Sequence, residues 1–509
     1  MGACMLLGGK HIDKNSTLKK TKIVMAIPFD NIPQKDILMV EKEVNKIVEK
    51  KLGIQVQFVA TASYSKEVSL LLSGKEQLDI MAAPYGKYME AYINGMLIPL
   101  DDYLEKYGQG IIEQVGRKNI ECCNINNTLY GVPTNSDYAC VDNCYMLRKD
   151  ILDKYNIKAE DIKSFSDLEK VFALIKKNEP NLTILIPGYG TILSTQYYLV
   201  SNNGFRPGVH MDYGRNEKID NVFETEEYMD ALKRIRKWYL KGYLRKDIFG
   251  ETEPALKRVK QGKVFAYTTK GKPGIESQDK TGEDNEMVCV KLGKASISYN
   301  SISGHPYVIT KNTISPELAM KVLNLFYTDA DIMNLLSYGV EGVHYKKLDN
   351  GFITYVGKEK KNPFLNNAWN MPNQFITYVW EGNDKNLWEN LKKFNEESIQ
   401  SCELGFNFDF SEVVAEYASV REIYKTYNVI LENGLVNPED GLQHMLQEMR
   451  ENGMNRILTL EKKQFESWEK GKKKEEKSKR KEQQQENITT SQQDSIIVIV
   501  LNRKVVFLN

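Results

Sequence analysis

Two carboxylates in this sequence stand near tyrosines in turn-prone stretches that suit ligand chemistry, one of them between glycines. In Tyr338-Gly339-Val340-Glu341-Gly342-Val343-His344-Tyr345 a glutamate lies between two glycines, with a tyrosine at each end. Glycines give the backbone freedom that other residues lack. The stretch therefore reads as a crossing between two lobes beside a ligand cleft, with a helix cap as the alternative. In Asn135-Ser136-Asp137-Tyr138 an aspartate and a tyrosine sit in a polar, turn-prone linker. Tyr85 follows Ala83-Pro84 at the end of an apolar strand, Tyr189 is exposed by its setting between Gly188 and Gly190, and Trp369 stands before Asn370-Met371-Pro372 as a stacking platform. Tyrosine both stacks and hydrogen-bonds, and the chain has 28. Paired carboxylates also serve as acid and base in glycoside hydrolysis. Asp137 and Glu341 are the candidates, with a separation the sequence leaves open. His305, between Gly304 and Pro306, reads as hinge structure.

Other chemistries find no support. The sequence has no Gly-x-Ser-x-Gly, no His-Glu-x-x-His and no phosphate loop, since Leu72-Ser73-Gly74-Lys75 lacks the preceding glycine. No catalytic residue, cofactor or metal site is assigned. The seven cysteines follow no metal spacing: Cys122 and Cys123 are adjacent, and Cys140 and Cys144 lack a second pair, so free structural thiols are expected. With 69 basic against 68 acidic residues, no whole-chain field calls for nucleic acid. No run approaches the roughly 20 apolar residues needed to span a bilayer.

The elements that must position these residues alternate. At 509 residues the chain exceeds one ordinary core, so two lobes are expected. Strands over 22–27, 54–58 and 78–82 alternate with helices over 37–52, 65–73 and 86–94, an α/β rhythm that implies a parallel sheet with ligands beyond the strands' carboxyl ends. A strand over 129–133 leads into a second unit. There Ser166-Asp167-Leu168-Glu169 reads as a capping box, 183–186 and 264–268 as strands, 226–241 as a helix, and 288–292 with 296–299 as a hairpin. At Ser303 the pattern resets: a strand over 307–310 precedes a helix capped by Ser315 with Pro316 at its first position. Helical patterns over 410–432 and from Asn437 follow.

These pieces carry a resemblance. Leu71-Leu72-Ser73-Gly74-Lys75-Glu76-Gln77-Leu78-Asp79-Ile80 ahead of Gly95-Met96-Leu97-Ile98-Pro99-Leu100-Asp101, and then Leu129-Tyr130-Gly131-Val132-Pro133, resemble family 1 extracellular solute-binding proteins of ABC importers. Tyr338–Tyr345, Trp380-Glu381-Gly382-Asn383-Asp384, Leu404-Gly405-Phe406-Asn407-Phe408-Asp409 and Gln464-Phe465-Glu466-Ser467-Trp468 resemble markers of a Gram-positive, LipO-like lipoprotein subgroup with its own C-terminal region. The resemblance implies a type 2 periplasmic-binding-protein fold: two α/β lobes, a multi-strand hinge, closure around a solute, and C-terminal helices. It also implies a monomer that captures a sugar or oligosaccharide for an ABC permease. Aromatic-plus-acid clefts suit carbohydrate, which offers apolar C–H faces and hydroxyls. On that footing Glu341 and Tyr345 join Tyr85, Asp137, Tyr138, Tyr189 and Trp369 as ligand-binding candidates. A glycosidase, a cytoplasmic interaction protein and a binder of another solute such as a peptide stay open.

The expected organisation is a leader and tether over 1–21, a first lobe over 22–135 and 303–365, and a second over 136–302 and 366–468 with the C-terminal helices. Met1-Gly2-Ala3-Cys4 places small residues before a cysteine, as at a bacterial lipoprotein cleavage site, without the charged and apolar regions that precede one. Cys4 is thus read as the lipidation site of a truncated leader, holding the protein at the outer face of the cell membrane. Residues 469–509, rich in lysine, glutamate and glutamine before an apolar end, read as a low-complexity, disordered tail.

Overall fold

The computed structural model describes residues 21–29, 32–59, 64–196, 205–246, 253–278, 286–298, 300–357, 361–474 and 477–478. Cys4 and nearly all of the tail lie outside these residues. Among the described residues the chain forms two main sheets, each with its own hydrophobic core, and three two-stranded ones.

The first sheet orders its strands Tyr307–Ile309, Ile80–Ala82, Lys22–Ala26, Gln55–Val59. The last three pair in parallel, and Tyr307–Ile309 closes the edge antiparallel to Ile80–Ala82. Helix Gln34–Leu52 lays Ile37, Val40, Val44 and Val48 against it at three- and four-residue spacing, the stripe a core-facing helix requires. Asp79 holds the arrangement together. Fully buried, it accepts from the Val24 amide at 2.8 Å, the Thr313 hydroxyl at 2.7 Å and the Ile314 amide at 2.8 Å, stapling the first strand to the turn after the edge strand. A buried carboxylate with several donors satisfies its charge without a cation.

The second sheet is built around Cys140–Arg148, the strand for which the sequence had given no signal. It pairs antiparallel with Val264–Gly271, Met287–Lys291 and Ala295–Ile297. The expected hairpin of 288–292 with 296–299 is therefore wrong: both segments pair with this third strand. Thr183–Ile186 runs parallel to Val264–Gly271, and Ile399–Gln400 parallel to Ala295–Ile297. The helix Phe165–Asn178 is capped by Ser164, which accepts from the Asp167 amide, two residues before the capping box expected at Ser166. Trp238 of helix Glu226–Leu240 packs edge-on against Phe172 at 5.5 Å.

The C-terminal part belongs to this second core. Phe406, Phe408, Phe410, Tyr417, Met445, Met449 and Phe465 join it, and buried Arg206 ties the region down through Glu403 at 2.7 Å and through Glu461. The last helix runs past Trp468 to 474, so the first residues assigned to a disordered tail are helical. Met371, assigned to the second lobe from sequence, packs in the first core.

The chain crosses between the sheets after Leu129, between Ile297 and Tyr307, and again beyond Pro372. The expected strand over 129–133 is only Thr128–Leu129, followed by a single bridge from Val132 to Tyr307. Two crossings are bound together at Asn135. Its amide donates to Pro372 O at 2.8 Å, and its carbonyl accepts from Gln374 N at 2.9 Å.

Tyr338–Tyr345 is not a crossing. Tyr338 ends the helix Ala330–Tyr338, and Tyr345 opens a hairpin of Tyr345–Lys347 with Ile353–Tyr355. The bend is pinned by His344, whose Nδ1 accepts from the Val340 amide at 2.8 Å and whose Nε2 lies 3.5 Å from buried Asp36. Gly339, at φ +81°, is required here, because a Cβ would lie 2.4 Å from His344 Nδ1.

Candidate functional site

Between the two cores lies a cleft of about 1260 Å³. Its walls are loops at the carboxyl ends of strands of both sheets, the place where open α/β sheets receive ligands, with the crossings as its floor.

The first wall is aromatic. Tyr85 follows the strand Ile80–Ala82 and packs at a tilt on His305, ring centroids 5.4 Å apart, while Trp369 meets His305 edge-on at 5.4 Å. The arrangement depends on a glycine: at Gly304 a Cβ would meet Asn300 O at 2.5 Å and the Tyr85 ring at 3.2 Å. His305 is 7% exposed, and burial pulls its imidazole down to about 4, against smaller upward effects from the Trp369 backbone and Asp137. It is neutral at ordinary pH, and the three rings form an uncharged platform.

The floor carries Asp137 and Tyr138. Asp137 is 4% exposed at its side chain, and its Oδ2 pairs with Lys272. Its other oxygen, Oδ1, is buried and accepts no hydrogen bond. Tyr138 lines the cleft, but its hydroxyl donates to Thr134 O and its ring packs with Ile297, Ile302 and Leu404. It supports the floor.

The second wall is polar. Tyr189 is 45% exposed and donates to Ser194 O at 3.3 Å, with Lys270 Nζ 5.9 Å from its ring centroid. Helix Val414–Leu431 completes the wall with Arg421, Tyr424, Lys425 and Asn428. Tyr424 is held by Glu432, a fully buried carboxyl that also receives Tyr228 and, at 2.5 Å, Thr191. Burial pushes the Glu432 carboxyl up to about 7, and the three hydrogen bonds offset this only in part.

The structure thus brings Tyr85, Asp137, Tyr138, Tyr189 and Trp369 to one cleft. Glu341 and Tyr345 are not on its walls. Glu341 is 49% exposed and pairs with Lys347 at 3.0 Å; Tyr345 is buried with Tyr338 and Ile353 in a small cluster of its own. The acid–base pair considered from sequence therefore does not form, and Asp137 is the one carboxylate lining the cleft among the described residues. Sequence reasoning missed the contribution of Val414–Leu431, a helix whose pattern gave no sign that it faced a site. No group of three or more His, Cys, Asp or Glu among the described residues is placed to hold a metal ion, and no described helix is long and apolar enough to cross a membrane.

Residues 39–333 match the family of bacterial extracellular solute-binding proteins. The chain belongs to that family. Residues 403–470, the segment locked to the second core, match a domain of unknown function (DUF3502). A carbohydrate ABC transporter substrate-binding protein of Streptococcus pneumoniae is 25% identical over 84% of this chain and 87% of its own length. Lipoprotein LipO of Bacillus subtilis is 23% identical over 71% and 75%. Among solved structures, the N-glycan transport solute-binding protein of S. pneumoniae superposes with a TM-score of 0.78 at 24% identity, covering 89% of this chain and all of that one. The alginate-binding protein AlgQ2 gives 0.61 at 16% identity over 88% of this chain and 99% of its own. Both carry the type 2 binding-protein fold seen here.

Proposed function

We propose that this protein captures a carbohydrate, a sugar or oligosaccharide, in the cleft between its two cores and delivers it to the permease of an ABC importer. The observation that carries the reading is the ring platform of Tyr85, His305 and Trp369 facing a polar wall across a cleft of about 1260 Å³. Stacked rings take the C–H face of a pyranose, and the opposed polar groups take its hydroxyls. Closure of the lobes makes both sets of contacts count together and excludes water. The names of the relatives agree, since two of those cited are described as carbohydrate or N-glycan transport proteins. The same reading makes it a lipid-anchored monomer at the outer face of the cell membrane, as the resemblance to the lipoprotein subgroup implies. Asp137, Tyr85, Tyr189 and Trp369 are the proposed ligand contacts, with Tyr138 beneath them.

A thermal-shift series over oligosaccharides, peptides and polyamines tests it, because a solute that binds the folded state raises the transition by linkage. An oligosaccharide is expected to shift it and to be recovered unchanged. A shift by peptides or polyamines alone would contradict the carbohydrate reading, and release of reducing ends would contradict a binding role.

A further inference from the structure

The cleft carries more positive charge than it neutralises. Five cationic side chains line it: Lys87, Lys270, Lys272, Arg421 and Lys425. Lys272 is matched by Asp137, and Lys425 by Glu422 at 2.7 Å. Lys87, at 2.7 Å, and Arg421 both pair with Glu90, and Arg421 also lies 3.9 Å from Glu422. Lys270 pairs with no carboxylate among the described residues; its neighbour is the ring of Tyr189. Five cations therefore meet three carboxylates, and the surplus centres on a half-buried lysine beside an exposed aromatic face.

Such a surplus has a cost that depends on what enters. When the lobes close and water leaves, an uncompensated ammonium loses solvation that a neutral sugar replaces only with hydroxyl dipoles. A carboxylate restores it with a charge-assisted hydrogen bond. We infer that the cleft takes a carboxylated oligosaccharide, a chain containing uronic acid, with a sugar ring on Tyr189 and the carboxylate on Lys270. The inference rests on the carbohydrate reading above and narrows it to an acidic class. The buried Oδ1 of Asp137, which lacks a donor, accepts a hydroxyl of the same chain. Asp137 stays committed to Lys272, so the ligand's carboxylate meets Lys270 without a fixed anion competing for it.

Calorimetric titration of the full chain with trigalacturonate and a mannuronate trisaccharide, against α-1,4-galactotriose and mannotriose, tests this. A uronate is expected to bind about tenfold or more tighter than its neutral counterparts at low salt, the worth of one hydrogen bond to a charged group. The preference should shrink as salt screens the charges. Lys270→Gln should remove most of the preference, and Lys425→Gln, on the exposed edge of the helix, a smaller part. Neutral trisaccharides binding as tightly as uronates, with no salt dependence, would overturn the inference and leave the carbohydrate reading standing. If a tripeptide binds and no trisaccharide does, both fall.

Discussion

Asn135–Tyr138 and Tyr338–Tyr345 share an acid and a tyrosine, with glycines only in the second, and do different work. Each sets a carboxylate near a tyrosine in a bend. In the first, the backbone is clamped between two crossings and Asp137 faces a cleft shared by both cores. In the second, the bend joins a helix to a hairpin on the first core alone, and Glu341, half exposed, pairs with Lys347. Composition made the two look alike. What separates them is which elements they connect, and a ligand site arises only where chain from both cores converges.

This contrast can be broken experimentally. The largest expected effect is on stability. Asp137→Ala leaves Lys272 nearly buried without its partner, a loss on the order of 3 kcal/mol for a buried pair, read as a lower urea midpoint together with weaker solute binding. A third carboxyl, Glu432, is buried among hydroxyls without a cation, and its contribution to stability depends on pH. Its unfolded form ionises near the ordinary 4.5 and its folded form at about 7. Between these values the folded state holds the extra proton. Its contribution is complete below about pH 4.5, falls as pH rises, and is lost above about pH 7, by about 3 kcal/mol in all. Glu432→Gln should flatten that slope in denaturation measured at about pH 4 and about pH 8; an unchanged slope would mean that other groups set it.

Trp369→Ala removes one end of the ring platform and should weaken solute binding by about 2 kcal/mol, about thirtyfold in Kd, with little change in the midpoint of unfolding. Glu341→Gln removes half of an exposed ion pair and should change stability by about 0.5 kcal/mol or less, with affinity untouched. A large loss of affinity in this last variant would erase the distinction between the two stretches.

Much of the first core was legible. The stripe of Ile37, Val40, Val44 and Val48, and Ser315 with Pro316 at a helix start, follow local rules that the structure obeys. The strand Cys140–Arg148 was not legible. Its sequence, Cys-Val-Asp-Asn-Cys-Tyr-Met-Leu-Arg, mixes polar residues into a strand buried on both faces over much of its length, and its pairings come from segments far along the chain. The site divided in the same way. Tyr85, just after a strand, and Tyr189, between two glycines, line the cleft as their local settings suggest. Arg421 and Tyr424 were not legible, because a helix presents its cleft side only once the second core has fixed its rotation. Glu341 and Tyr345 were misplaced because glycines and tyrosines signal a bend without signalling where the bend lies. Asp79 lies in a segment that resembles a family motif, and the hydrogen bonds its carboxylate accepts from Val24, Gln77, Thr313 and Ile314 show why an aspartate belongs there.

The most direct test of the central claim is calorimetric titration of the wild type, Trp369→Ala and Glu341→Gln with the oligosaccharide that gives the largest thermal shift. The account predicts one site per chain, with binding weakened about thirtyfold by Trp369→Ala and unchanged by Glu341→Gln. Binding that survives Trp369→Ala intact and disappears in Glu341→Gln would place the site on the hairpin side of the first core and contradict the cleft between the two.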